Sequence, residues 1–281
     1  MTPLIAIIFI GGLSLLLALI IAIASEKFKV YEDPRIDVVT DMLPGANCGA
    51  CGQPGCHAFA EVLVAGKAQP SGCTVGGPDN AAQVAEYLGV DAGSSVRKVA
   101  RLFCSGGTDV AVKAADYQGQ ESCRAAALVA GGPKECTYGC LGLADCEEAC
   151  TFDAISMMPT GLPFVNAAKC TSCGDCVAVC PKGLFELIPI NQHLIVQCKS
   201  LLAGDEILEA CSVACTACTR CAADAPEGLI AMKNNLPVIN PEKLELETDI
   251  ATLRCPTGAI TWIDEQQFMD KVTIEQTTAE Q

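Results

Sequence analysis

The stretch "CTACTRCAADAPEGLI" (residues 215–230) sets Cys215, Cys218 and Cys221 at two-residue intervals, then places Ala225 ahead of a proline where a fourth cysteine would complete a cluster-binding motif. The reading of that one position decides how many metal centres the chain is built around.

Composition narrows the chemistry first. The chain has 281 residues, 20 cysteines, two histidines (His57 and His193), one tryptophan and a formal net charge of −15. So many thiols imply disulfides, zinc or iron–sulfur clusters, and spacing separates the three. A disulfide scaffold has no use for C-x-x-C-x-x-C, because neighbours so close cannot easily bridge one another. Zinc sites take well-separated C-x-x-C pairs or include histidine. Here three cysteines crowd into seven residues twice, at Cys170–Cys176 and Cys215–Cys221. Iron–sulfur ligation is the reading that fits.

An internal repeat then answers the opening question. "CTFDAI" at Cys150, "CPKGLF" at Cys180, "APEGLI" at Ala225 and "CPTGAI" at Cys255 share one pattern, and the first interval equals the last. Self-similarity of this kind means two copies of one double-motif unit. In C-x2-C-x2-C-x3-C-P motifs the fourth cysteine serves the other motif's cluster. Cys170, Cys173 and Cys176 therefore take Cys150, while Cys136, Cys140 and Cys146 take Cys180, although the C-x3-C-x5-C spacing of the latter departs from the usual one. Projected onto the second copy, the same offsets fall on Cys215, Cys218, Cys221 and Cys255 for one cluster. For the other they fall on Ala225, Glu245, Thr248 and Ala251. All losses belong to one cluster, so Ala225 marks a missing centre beside a complete one.

Upstream, "NCGACGQPGCHAFAEVLVAGKAQPSGC" carries Cys48, Cys51, Cys56 and Cys73, enough for a further four-iron cluster in a glycine-rich loop closed by a helix. His57 reads as a surface or capping residue rather than a ligand. These four sets leave Cys104, Cys123, Cys198 and Cys211, either a fifth [4Fe-4S] site or buried free thiols, which pack like small hydrophobes.

The N-terminal run "PLIAIIFIGGLSLLLALIIAIA" is uncharged and long enough to cross a bilayer core of about 30 Å. A cleaved signal peptide would want a basic n-region and a shorter apolar run; a core helix would want a polar stripe. Lys27, Lys29 and Arg35 follow the run and nothing basic precedes it, which places the remainder on the cytoplasmic side. Gly11, Gly12, Ala18 and Ala22 suit either a second helix or lipid.

The expected architecture is α+β: an anchor (1–25), a linker (26–40), a small 4Fe-4S module (41–100), a ferredoxin-like unit with two clusters (101–197), a second with one (198–264) and a polar tail (265–281). "AISMMPTGLPFVN" and "LIAMKNNLPVIN" read as hairpins turning at Gly161 and Asn234–Asn235. No G-x-G-x-x-G opens a βα unit, so no NAD site is assigned to this chain. No P-loop or activated nucleophile is found either, and the acidic balance excludes a general nucleic-acid surface. In "SSVRKVARLFC", Arg97, Lys98 and Arg101 fall at helical spacing, giving either a docking patch for an acidic donor or a solvated helix face. The acidic "PEKLELETD" reads as solvated surface.

The anchor, "NCGACGQPGC", "CRAAALVAGGPKECTYGCLGLADCEEAC" and "KCTSCGDCVAVCPKGL" together resemble the RnfB/RsxB family of the Rnf electron-transport complex, in its long, ferredoxin-rich form. That resemblance covers nearly all of the chain. It implies a bacterial inner-membrane complex that oxidises reduced soluble ferredoxin, reduces NAD on another subunit and couples this to sodium or proton export. Related complexes are associated instead with keeping an iron–sulfur transcription regulator reduced. A metal-stabilised anchoring module without redox turnover is the third reading. The second ferredoxin copy, lacking one cluster, departs from relatives that keep both.

Overall fold

The computed structural model describes residues 2–27, 33–94 and 96–268. Lys29 and the tail beyond residue 268 lie outside them. Helix α1 (Thr2–Lys27) is long and apolar enough to cross a membrane. Its side chains between Ile7 and Ile23 are exposed all round, Phe9 at 72% and Ile21 at 66%. A helix apolar on every face and packed on nothing suits lipid.

Helix α2 (Pro34–Met42) starts on an Asp33 carboxylate that accepts the Arg35 N–H at 2.9 Å, with Pro34 in the first turn. Half of the expected linker is therefore helix. Val39 and Leu43 pack with Phe59, Ala60 and Leu63 of α3 (Cys56–Val64) and with Val84 of α4 (Gly77–Leu88). The small module thus begins near residue 33, and ends on Gly89 in the left-handed region that stops α4.

Among the described residues, the rest of the chain holds four two-stranded antiparallel sheets and six short helices. Strand β1 (Lys98–Leu102) pairs with β4 (Phe185–Pro189), and β2 (Ile155–Met157) with β3 (Pro163–Val165). Strand β5 (Leu194–Val196) pairs with β8 (Ile260–Trp262), and β6 (Ile230–Lys233) with β7 (Leu236–Ile239). Both hairpins foreseen in the sequence form. Asn234 and Asn235 hold φ of 50° and 64° in the second, the left-handed pair a tight hairpin turn requires.

Two boundaries move. Strand β1 starts three residues before the expected unit 101–197, and β5, expected inside it, belongs to the next unit because it pairs with β8. The segment holding Arg97, Lys98 and Arg101 is a strand, not a helix. Its pairing with β4, far away in sequence, overrides the helical spacing of its basic residues.

The helices are α5 (Cys123–Ala127), α6 (Asp145–Glu148), α7 (Asp175–Val179), α8 (Ile207–Ala210), α9 (Arg220–Asp224) and α10 (Ile250–Leu253). Apolar side chains gather in several small groups rather than one core. The largest mixes Leu102, Leu162, Leu184 and Phe185 with Cys104, Cys140, Cys146 and Cys176. A fold whose cores are part thiol is expected to depend on what those thiols hold.

Candidate metal centre

The 20 cysteines carry no disulfide and line five separate hollows, four thiols to each. An N-terminal ring is formed by Cys48, Cys51, Cys56 and Cys73. Asn47 organises its loop by accepting the Cys56 N–H at 2.8 Å, while the Gly76 N–H donates to Cys73 Sγ at 3.4 Å. His57 is exposed on α3, and takes no part in lining the hollow.

Ring one contains Cys150, Cys170, Cys173 and Cys176, and ring four contains Cys215, Cys218, Cys221 and Cys255, both as the repeat predicts. The remaining two differ from expectation by one exchange. Ring two contains Cys123, Cys140, Cys146 and Cys180; ring three contains Cys104, Cys136, Cys198 and Cys211. Cys136 leaves the motif that follows it because residues 110–112 lie between its segment and that of Cys211. The Glu135 N–H donates to Val112 O at 3.0 Å, the Val112 N–H to Ala210 O at 2.9 Å and the Ser212 N–H to Val110 O at 3.1 Å. Cys123 takes the vacated place. The Asp145 carboxylate receives the Cys123 N–H at 2.8 Å, the Arg124 N–H at 3.1 Å and the Ser122 hydroxyl at 3.0 Å. That carboxylate caps α5 and pins it beside Cys146, the residue after Asp145.

The missing centre of the second copy is equally visible. The fourth N–H after Cys150 (Ala154) donates to its sulfur at 3.3 Å, and that after Cys180 (Leu184) does so at 3.4 Å. The equivalent bond runs from Ala259 to Cys255. After Ala225 there is no sulfur, and the Leu229 N–H turns to Pro226 O at 3.0 Å. Ala225 and Ala251 join an apolar group with Leu194, Leu229 and Ile260, while Glu245 is exposed. Only part of the acidic "PEKLELETD" is solvated surface, because Glu247 turns inward to accept the His193 N–H at 2.8 Å and the Leu194 N–H at 3.3 Å. Its carboxyl is raised by burial.

Electrostatics bear on what the rings hold. Burial pushes the Cys146 and Cys176 thiols up to about 12 and Cys221 to about 11, with neighbouring thiols adding to the rise. Cys140 is driven higher still. Cys255 goes the other way: burial opposes its thiolate, but N–H groups of Ile260, Thr257 and Ala259 and the Thr257 hydroxyl together outweigh it. Backbone N–H groups aimed at sulfur are what an iron–sulfur cluster uses to set its potential. Among the described residues no three His, Cys, Asp or Glu side chains converge as a single metal ion would need. All-thiol rings around a hollow, with N–H donors on the sulfurs, are a donor set that suits an iron–sulfur cluster.

Rings one to four are consecutive neighbours, and cysteines four apart in sequence bridge each step. Cys146 and Cys150 on one side, and Cys176 and Cys180 on the other, link rings one and two. Cys136 and Cys140 link two and three, where the Cys140 N–H donates to Cys104 Sγ at 3.5 Å. Cys211 and Cys215 link three and four, where the Cys215 N–H bonds the Cys198 sulfur. The recurrent C-x3-C spacing was the available signal for this succession, and the motif-by-motif reading passed over it. It also missed Asp145, which has no cysteine motif to announce it.

The proposed basic patch does not assemble. Arg97 and Lys98 are exposed, but Arg97 turns its guanidinium to the Ala167, Ala168 and Cys170 carbonyls and Arg101 is fully buried, so the three do not share one surface.

Comparison with known proteins points to iron–sulfur binding. Residues 43–75 match a family model described as "Putative Fe-S cluster", and residues 162–185 match "4Fe-4S binding domain". The chain is 44% identical over 251 residues to the RnfB-type subunit of the Na(+)-translocating ferredoxin:NAD(+) oxidoreductase complex of Acetobacterium woodii, covering 89% of this chain and 75% of that protein. It is 39% identical to the corresponding subunit of an ion-translocating oxidoreductase complex of Methanosarcina acetivorans, over 85% of this chain and 90% of the relative. It is 37% identical to that of a proton-translocating ferredoxin:NAD(+) oxidoreductase complex of Clostridium ljungdahlii, over 88% of each.

The chain belongs to the RnfB/RsxB family of ion-translocating oxidoreductase complexes. The first matched segment of this Rnf-type subunit spans the N-terminal ring, and the second contains Cys170, Cys173, Cys176 and Cys180 of rings one and two.

Proposed function

We propose that this subunit carries electrons from reduced soluble ferredoxin through five [4Fe-4S] clusters toward the NAD-reducing and membrane subunits of its complex. The observation that carries this reading is the unbroken succession of rings one to four, each sharing a C-x3-C step with the next, with the N-terminal ring as a fifth four-thiol site. Scaffolding would not need neighbouring centres in line, whereas charge relay does. When bound, such clusters supply one-electron carriage.

The chain's own residues do the rest. Cysteines hold, backbone N–H groups polarise the sulfurs, and apolar side chains such as Leu102, Leu184 and Phe185 keep water from rings one and two. Helix α1 would fix the subunit to the bilayer, with Lys27 and Arg35 marking the cytoplasmic flank. The relatives named for ferredoxin:NAD oxidoreduction support the same donor and acceptor here. Nothing in the sequence offers a dinucleotide site, so NAD is reduced elsewhere in the complex.

Iron and acid-labile sulfide of the anaerobically purified chain, read with EPR, test the cluster count. Five centres require roughly twenty irons by ligand arithmetic; zinc in their place would overturn the proposal. In membrane vesicles, deleting the subunit is expected to abolish ferredoxin-dependent NAD reduction and the linked ion uptake. Undiminished NAD reduction would sink the assignment.

A further inference from the structure

Charge is not spread evenly over the row of rings. Among the described residues, the lining of ring one includes a carboxylate, Asp175, and that of ring four no charged side chain at all. Ring two has one of each sign, Asp145 and Lys182. Ring three is lined by two lysines, Lys134 and Lys199, and by no carboxylate. The Lys199 ammonium is turned to Glu186, which leaves Lys134 as the cation to account for.

Backbone bonds on either side hold Lys134 at this ring. The Ala114 N–H donates to Pro133 O at 2.8 Å and the Glu135 N–H to Val112 O at 3.0 Å, so Lys134 stands in an antiparallel bridge opposite Lys113. From there its Nζ donates to Gly106 O at 2.6 Å. Gly106 lies against the sulfurs themselves. Its N–H bonds the Cys104 sulfur, and a Cβ added to it would stand 3.2 Å from Cys211 Sγ and 3.6 Å from Cys104 Sγ. The half-buried ammonium is thus tethered to a residue that touches two of the four ring-three thiols. Burial pushes the Cys104 and Cys140 thiols up, and the Lys134 charge is among the influences that oppose the rise.

We propose that Lys134 is the potential-setting residue of ring three: a cation, tethered through Gly106 to the ring's edge, that favours the reduced form of the cluster held by Cys104, Cys136, Cys198 and Cys211. The inference rests on the cluster reading above. A four-thiolate cluster gains one negative charge on reduction, so a cation held close to it raises its potential, less so where solvent and salt screen the charge. Lys134 thereby lifts ring three relative to ring one, where the Asp175 carboxylate acts the other way. Electrons are drawn from ring one toward ring three.

EPR-monitored redox titration of the full-length, anaerobically purified protein tests this with Lys134→Met, Lys134→Gln and Lys134→Arg. The component to follow is the one that Cys198→Ser alters or removes. In the two neutral variants it is expected to move to more negative potential, its reduction constant falling about fivefold, roughly 40 mV at 59 mV per tenfold for a one-electron couple. Lys134→Arg is expected to stay near the wild type. The ring-two component, within reach through Cys140, is expected to move by less, and the others to stay in place. Loaded variants with unmoved potentials would overturn the inference, as would a common shift of all components. A shift in Lys134→Met alone would overturn it too, because glutamine keeps a donor for Gly106 O and lacks only the charge. Iron loss in Lys134→Gln would make the lysine a structural prop and end the proposal. Failure of the cluster reading itself would look different, because the wild-type protein would then lack iron and sulfide.

Discussion

Asp145 shows how much can hang on one carboxylate. It gathers three donors at the start of α5 and so determines that Cys123, not Cys136, stands with Cys140, Cys146 and Cys180. Replacing Asp145 with Ala removes a cap worth about 0.5–2 kcal/mol. The expected result is lower thermal stability of the loaded protein together with selective weakening of one EPR component. The exchange itself has a direct check. Cys136→Ser should perturb the same spectroscopic component as Cys198→Ser, and Cys123→Ser the same one as Cys180→Ser. If Cys136→Ser and Cys180→Ser instead strike a common component, the ring assignment is wrong.

At the scale of elements, the hairpins were legible because their determinants are local: alternating apolar residues around Gly161, and an Asn–Asn pair that tolerates positive φ. Asn235→Ala forces a left-handed alanine and removes the Nδ2 bond to Leu201 O at 2.9 Å. It should lower stability by about 1–2 kcal/mol, measurable as a shift in the denaturant midpoint of the loaded protein. What the sequence concealed was non-local. Strand β1 exists only through its pairing with β4, and Cys136 changes rings only because residues 110–112 run between two distant segments. Rings one and four were readable since their ligands sit within a repeated motif. Rings two and three exchange members through backbone bonds that no spacing rule encodes. Arg101 misled for a related reason: i, i+4 spacing is shared by a helix face and, by accident, by alternate residues of a strand.

For the molecule as a whole, the thiols set a condition on assembly. Burial, with the neighbouring thiols, pushes Cys146 and Cys176 up to about 12 and so favours their protonated forms. Cluster ligation needs thiolates, so loading must expel these protons. Reconstitution in weak buffer is therefore expected to acidify the solution in proportion to iron taken up, and to be faster at pH 8.5 than at pH 6.5. A pH-independent uptake rate without proton release would contradict this. Removing residues 1–32 should free the protein from membranes while leaving its iron content unchanged, because α1 packs on none of the rings. Detergent-free fractionation followed by iron analysis decides it.

With Ala225, Glu245, Thr248 and Ala251 at the places of one set of thiols, the row of rings has a terminus. Beyond ring four lies a plug of Leu194, Leu229, Ala251 and Ile260, through which charge has no stepping stone. Of the 20 cysteines, Cys218 alone is exposed, and it stands on the rim of that last ring. Under the relay proposed above, a redox partner meeting ring four would dock over Cys218, the sulfur left bare at this end.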